Sequence, residues 1–132
     1  MPITPFYAAL LAIMFIFLSV RTLRTRRALK IAVGDNGNQQ MLRAMRVHAN
    51  FAEYTPIALI LIYFFEALGG YAWTAHIFCL CLLAGRVSHA YGVSQVNEIY
   101  KFRIFGMAMT FAAILGAVIG LFFLYGKHFA KL

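Results

Sequence analysis

Arg46-Val-His-Ala-Asn50-Phe-Ala-Glu53-Tyr54-Thr-Pro56 runs directly into Ile57-Ala-Leu-Ile-Leu-Ile-Tyr-Phe-Phe65, and this stretch decides how the chain is read. It is a polar stripe entering a greasy helix. Arg46, Asn50, Glu53 and Tyr54 follow one another at +4, +3 and +1. At about 100° per residue they share one helix face roughly 100° wide. Ionisable groups at bilayer depth are costly to keep, so each is a candidate for function. A cation, an amide, an anion and a phenol together suit a small, polar, zwitterionic ligand.

The composition agrees with a membrane setting. Of 132 residues, 63% are hydrophobic and 12% charged, against about 25% charged in an ordinary soluble domain. A helical span takes about 20 mostly apolar residues, so the chain has room for four and reads as one domain over residues 1–132. The expected spans are residues 3–20, 47–65, 71–85 and 105–125. Their apolar runs are continuous rather than alternating, which favours helices over a barrel. The expected fold class is an all-α membrane protein, a four-transmembrane-helix bundle. The first span does not read as a signal peptide, because no Lys or Arg precedes it and a basic run follows where a cleavage site would lie.

Net charge is +8, and its distribution carries more information than its sum. Arg21, Arg24, Arg26, Arg27, Lys30, Arg43 and Arg46 lie around the first connection. Arg86, Lys101 and Arg103 lie around the third, and only Lys127 and Lys131 fall on the other side. The positive-inside rule then places both basic connections in the cytoplasm and both termini outside. Charge that flanks membrane spans suits topology and lipid headgroups, and it argues against a nucleic-acid partner. Cys79 and Cys81 are two apart on one helix and face nearly opposite ways, so they read as small apolar packing residues. His48, His76 and His89 make no metal-ligand spacing with any carboxylate, so no metal is expected.

Gly34-Asp-Asn-Gly-Asn38 marks a loop, with residues 21–33 extending the first helix and Asn38 capping the second. Gly69-Gly70 marks a tight turn, and residues 92–100 read as a looser loop. Ala108, Ala112, Gly116 and Gly120 form a ridge of small residues that permits close helix packing. Along the second helix the polar stripe gives way to Ile57, Leu61 and Phe64. Glu53 lies seven residues, or about 10 Å, beyond Arg46. The stripe therefore reads as a blind pocket opening from the basic side, not as a channel lining. Pro56 frees the carbonyl of Ala52 beside Glu53. The competing reading is an internal salt-bridge network, with Glu53 paired to Arg46, Arg86 or Arg103 to hold the bundle together.

Arg46-xxx-Asn50-xx-Glu53-Tyr54-x-Pro56 resembles the signature of the membrane-associated proteins in eicosanoid and glutathione metabolism, the MAPEG family. Arg26-Arg27-Ala28 after span one resembles the paired arginines of leukotriene C synthase, and Arg86 the family arginine of span three. The resemblance covers the whole chain in span number and order. It implies a homotrimer of four-helix subunits in the membrane, with glutathione bound between neighbours. Carried over by motif, the glutathione-binding set is Arg26, Arg27, Arg46, Asn50, Glu53, Tyr54, Arg86 and His89. The chemistry agrees, since arginines suit carboxylates, Glu53 an ammonium and Asn50 an amide. A thiol becomes nucleophilic as its thiolate, which a nearby cation favours. By resemblance Arg103 has that catalytic role, with Arg27 as the alternate.

The sequence departs from the synthase at His89 and Val93, where tyrosines are expected, with Tyr91 a neighbouring substitute. The brief loops resemble small bacterial members of the family, which implies a bacterial inner membrane. The implied activity is a glutathione transferase that conjugates the thiolate to hydrophobic electrophiles, with lipid hydroperoxide reduction as a further possibility. Its partners would be glutathione, a hydrophobic electrophile or lipid, and the surrounding membrane lipids. The alternative is a non-catalytic lipid- or glutathione-binding scaffold of the same family.

Overall fold

The computed structural model describes residues 2–129. It is all-helical: α1 Thr4–Ala28, α2 Gln39–Ala67, α3 Ala72–Ser94 and α4 Tyr100–Phe129. Helices α1, α3 and α4 are long and apolar enough to cross a membrane. The expected second span does not meet that standard, because Arg43, Arg46, His48, Asn50 and Glu53 break the apolarity of α2's first half. Large apolar side chains also cover much of the outer surface. Ile16, Phe17, Leu115, Ile119 and Phe122 are exposed, the pattern of helices solvated by lipid.

The helix ends follow local chemistry. Asn38 caps α2, its side-chain oxygen accepting from the Met41 N–H at 3.0 Å. At the far end of α2, Gly69 adopts φ 91°. The Gly70 N–H then reaches back to the Phe65 carbonyl and the Gly69 N–H to the Glu66 carbonyl, the Schellman arrangement. Helix α1 ends in the same way but with Lys30 at φ 54° in the glycine position. The Ile31 N–H bonds to the Arg26 carbonyl and the Lys30 N–H to the Arg27 carbonyl. This stop is why α1 ends at Ala28 and does not run on to residue 33.

Helix α3 is longer than the expected span and absorbs Gly92, leaving only residues 95–99 as a loop. Gly92 is a contact residue here, not a breaker. A Cβ added to it would come within 2.8 Å of the Arg103 backbone nitrogen. Gly85 and Gly106 make the same kind of approach, so α3 and α4 meet backbone to backbone. The anticipated ridge on α4 works differently. Gly116 and Gly120 lie under the rings of Phe78 and Phe65, while Ala108 and Ala112 are exposed.

The two ends of the bundle are tied by polar contacts. At one end the Glu66 carboxylate accepts from the backbone N–H groups of Ile3 and Thr4, capping α1 from the end of α2. Nearby, Tyr7 and His76 share a hydrogen bond of 2.8 Å. Between them lies an apolar core that includes Leu11, Phe51, Ile62, Leu82 and Ala117, with Cys79 buried and free among them.

The expected orientation has a direct test. Single cysteines at Asn36 and at Tyr71, in a background lacking Cys79 and Cys81, should react with an impermeant maleimide from opposite sides of the membrane. Tyr71 should label in intact cells and Asn36 only after permeabilisation. Labelling of Asn36 in intact cells reverses the orientation. Lys131, expected on the same side as Tyr71, lies outside the described residues.

Candidate functional site

At the basic end, α2, α3 and the start of α4 enclose a cleft of about 200 Å³. Its lining is Gln39, Leu42, Arg43, Arg46, Asn50, His89, Val93, Glu98 and Arg103. The backbone approach of Gly92 to Arg103 brings α4 against α3 here, so residues from three helices converge on one space. Two larger grooves, of about 820 Å³ and 530 Å³, are almost wholly apolar and lie on lipid-facing surfaces.

Behind the cleft sits Arg86, only 1% exposed. Its Nη2 donates to the Asn50 side-chain oxygen at 2.9 Å. Its guanidinium carbon lies 5.9 Å from the centre of the Tyr54 ring, within cation–π range. Nε and Nη1 are buried and have no partner among the described residues. A buried cation whose donors are mostly unspent is costly, so among the described residues Arg86 is the group most in want of an anionic or carbonyl acceptor.

The polar stripe of α2 divides across its width. Its Tyr54 edge and Asn50 turn inward to Arg86. Arg46 lines the cleft and is exposed. Glu53, on the opposite edge, is exposed on the outside of the bundle and makes no ion pair among the described residues. The alternative network of Glu53 with Arg46, Arg86 or Arg103 does not form. Pro56, on the same flank, lies inside an unbroken helix.

Among the other expected site residues, His89 is buried and lines the cleft. Arg103 lines it from the first turn of α4. The paired arginines of α1 stand apart. Arg26 donates through Nη1 to the carbonyls of Ile31, Ala32 and Gly34, at 3.3, 3.3 and 3.0 Å. It therefore closes its own helix end, where a cation complements the dipole. Arg27 is exposed and outside the cleft lining. Tyr91 packs edge-on against Phe102 in the apolar α3–α4 groove, whereas Val93 lines the cleft.

Two cleft residues escape the sequence reading. Arg43 donates through Nη1 to the Val93 carbonyl and to Glu98 Oε2, both at 3.1 Å. It stands three residues before Arg46 and seven before Asn50, so helical spacing already places it on their face. Glu98 also accepts from Arg103 Nη1 at 3.0 Å. Its signal was a lone acid in a basic connection. Burial pushes the Glu98 carboxyl up, but the hydrogen bonds from Arg103 and Arg43 outweigh it and hold the group below its ordinary value. The fork therefore contributes stability above the ordinary carboxylate range and loses it as pH falls through the depressed value. The hydrogen-exchange protection factors of residues 93–103 should fall on acidification below about pH 4, and Glu98→Gln should remove that step.

Residues 4–123 match the MAPEG family. The chain belongs to that family. It is also similar to the inner membrane protein YecN of Escherichia coli strain K12, 36% identical over 113 residues, which covers 86% of this chain and 85% of that one. YecN from a second strain, O6:H1, matches equally. No solved structure gives a significant match. With this relative and three helices long and apolar enough to cross a membrane, this MAPEG protein is a multi-pass protein of the inner membrane. The family includes glutathione transferases and related proteins, and the name YecN carries no activity. Among the described residues, no group of three or more His, Cys, Asp or Glu side chains is placed to hold a metal ion.

Proposed function

We propose that this chain is a membrane-bound glutathione transferase that conjugates glutathione thiolate to hydrophobic electrophiles. The observation that carries the reading is Arg86, buried behind a cationic cleft with two nitrogens unpartnered among the described residues. Glutathione offers two carboxylates and two amide carbonyls, which are acceptors for such a cation and for Arg43, Arg46 and Arg103. Asn50 is held by Arg86 through its oxygen, so its amide N–H₂ remains a donor. Arg103 stands at the cleft mouth, where a cation favours thiolate over thiol. The apolar α3–α4 groove borders the same helix start and offers a lipophilic electrophile a lateral approach.

Glu53 fits this reading only through assembly. It faces away from its own chain's cleft, so it can meet the glutathione ammonium only where a second chain's cleft abuts this face of α2. The homotrimer that the family resemblance implies would supply such a neighbour. Glu53→Gln is then expected to weaken glutathione by about 1.5–3 kcal/mol, the loss of one charge-assisted hydrogen bond.

The deciding experiment is a glutathione titration of the detergent-solubilised protein, followed by thiolate absorbance in the near ultraviolet. Saturable thiolate formation supports the transferase. Binding without thiolate moves the chain to the scaffold reading, which keeps the bundle and lacks thiol activation.

A further inference from the structure

The cleft already contains an anion. The chain has four acidic residues. Asp35 accepts from the Gly37 N–H in the first loop, Glu66 caps α1 at the opposite end, and Glu53 faces outward. Glu98 alone among them lines the cleft, where it engages two of the three arginines of the lining that an anionic ligand would need. One oxygen takes Arg43 and the other takes Arg103. The Glu98 side chain is 8% exposed, Arg43 is 21% and Arg103 is 51%.

The two bonds are unequal. Arg43 is also tied to the Val93 carbonyl at the end of α3, so it is held from two directions. Arg103 has the Glu98 bond as its one hydrogen-bonded ion pair among the described residues, and half of its side chain is exposed. Exposed ion pairs contribute little net stability. The Arg103 arm is thus the one that an incoming anion can take over, with Glu98 left on Arg43.

We propose that Glu98 is a built-in competitor for the anion position of the cleft, and that an anionic ligand gains Arg103 by displacing the Glu98 carboxylate from it. This deepens the transferase reading and rests on it for the identity of the ligand. It makes Glu98 a determinant of ligand affinity. The contrary possibility is that Glu98 aims Arg103 at the ligand, in which case its loss would weaken binding.

The test compares wild-type protein and Glu98→Gln in detergent, with glutathione and inorganic sulfate as probes. Phenylglyoxal modification of Arg103 is followed in parallel by peptide mass spectrometry. The substitution keeps the shape and removes the charge, and both probes should bind about fivefold more tightly, the difference between a charged and a neutral hydrogen-bond partner. Arg103 should react faster in the variant, and each probe should protect it. Equal or weaker binding of both probes, with unchanged Arg103 reactivity, overturns the proposal. If glutathione binds neither protein while sulfate still prefers the variant, the transferase reading falls and the competitor stands. If glutathione forms thiolate equally in both and sulfate shows no preference, the reverse holds. Should Glu98→Gln fail to fold, Glu98→Asp withdraws the carboxylate by one methylene and should shift both measurements in the same direction.

Discussion

Arg103→Leu is expected to leave glutathione binding nearly intact while abolishing most turnover. Removing one preorganised group from a developing or resting anion costs about 10²-fold or more in rate. The thiol pKa of bound glutathione should rise, each unit being about 1.4 kcal/mol, and the thiolate absorbance at neutral pH should fall accordingly. Arg103 qualifies by position: it lines the cleft from the first turn of α4, and its guanidinium reaches Glu98 at 3.0 Å. Arg27 is exposed and outside the cleft lining, so Arg27→Leu should change neither measurement. If Arg27→Leu abolishes thiolate while Arg103→Leu keeps it, the activating arginine comes from α1 and must act across a subunit boundary. If neither matters and the wild type shows no thiolate, the scaffold reading is the better one.

Gly106→Ala should destabilise the bundle by about 3 kcal/mol, at the upper end of the usual cost of overpacking. The added Cβ would lie 2.5 Å from the His89 backbone nitrogen and 2.7 Å from the Gly85 carbonyl oxygen. These are backbone atoms of a neighbouring helix, so no rotamer change relieves the clash. Helix α4 has to retreat from α3, and the cleft formed where they converge should open with it. Thermal unfolding in detergent and glutathione affinity should therefore fall together. Gly126 is the control, because a Cβ there meets nothing within 4 Å. Gly126→Ala should be neutral or slightly stabilising, as alanine favours helix by up to about 1 kcal/mol. Equal stability of the two variants would refute the backbone contact between α3 and α4.

Much of the site was legible along α2, because helical spacing fixes the angle between residues of one helix. Arg46 and Asn50 are in the cleft as their spacing implied, and Arg43 shares that face and could have been read with them. Spacing does not fix how the helix is rotated against its neighbours. A stripe about 100° wide has two edges, and packing turned Tyr54 inward to Arg86 and left Glu53 outside. The paired arginines of α1 show the same limit. Arg26 lies where its motif places it, yet the left-handed Lys30 folds the chain back so that three loop carbonyls take its guanidinium.

The sequence by itself determined the class of protein, the number of helices, the Asn38 cap, the Gly69-Gly70 turn and the basic end where a polar cleft would lie. These depend on local propensity, apolar run length and charge, all of which are written residue by residue. Only the tertiary structure decided that Gly85, Gly92 and Gly106 join α3 to α4 backbone to backbone, while Gly116 and Gly120 lie under the rings of Phe78 and Phe65. It alone buried Arg86 with unspent donors and brought Glu98 between Arg43 and Arg103, residues 55 and 5 positions away in the chain. Such pairings depend on the distance and rotation between helices, which arise from side-chain interlocking across the bundle and leave no periodic mark on any one helix.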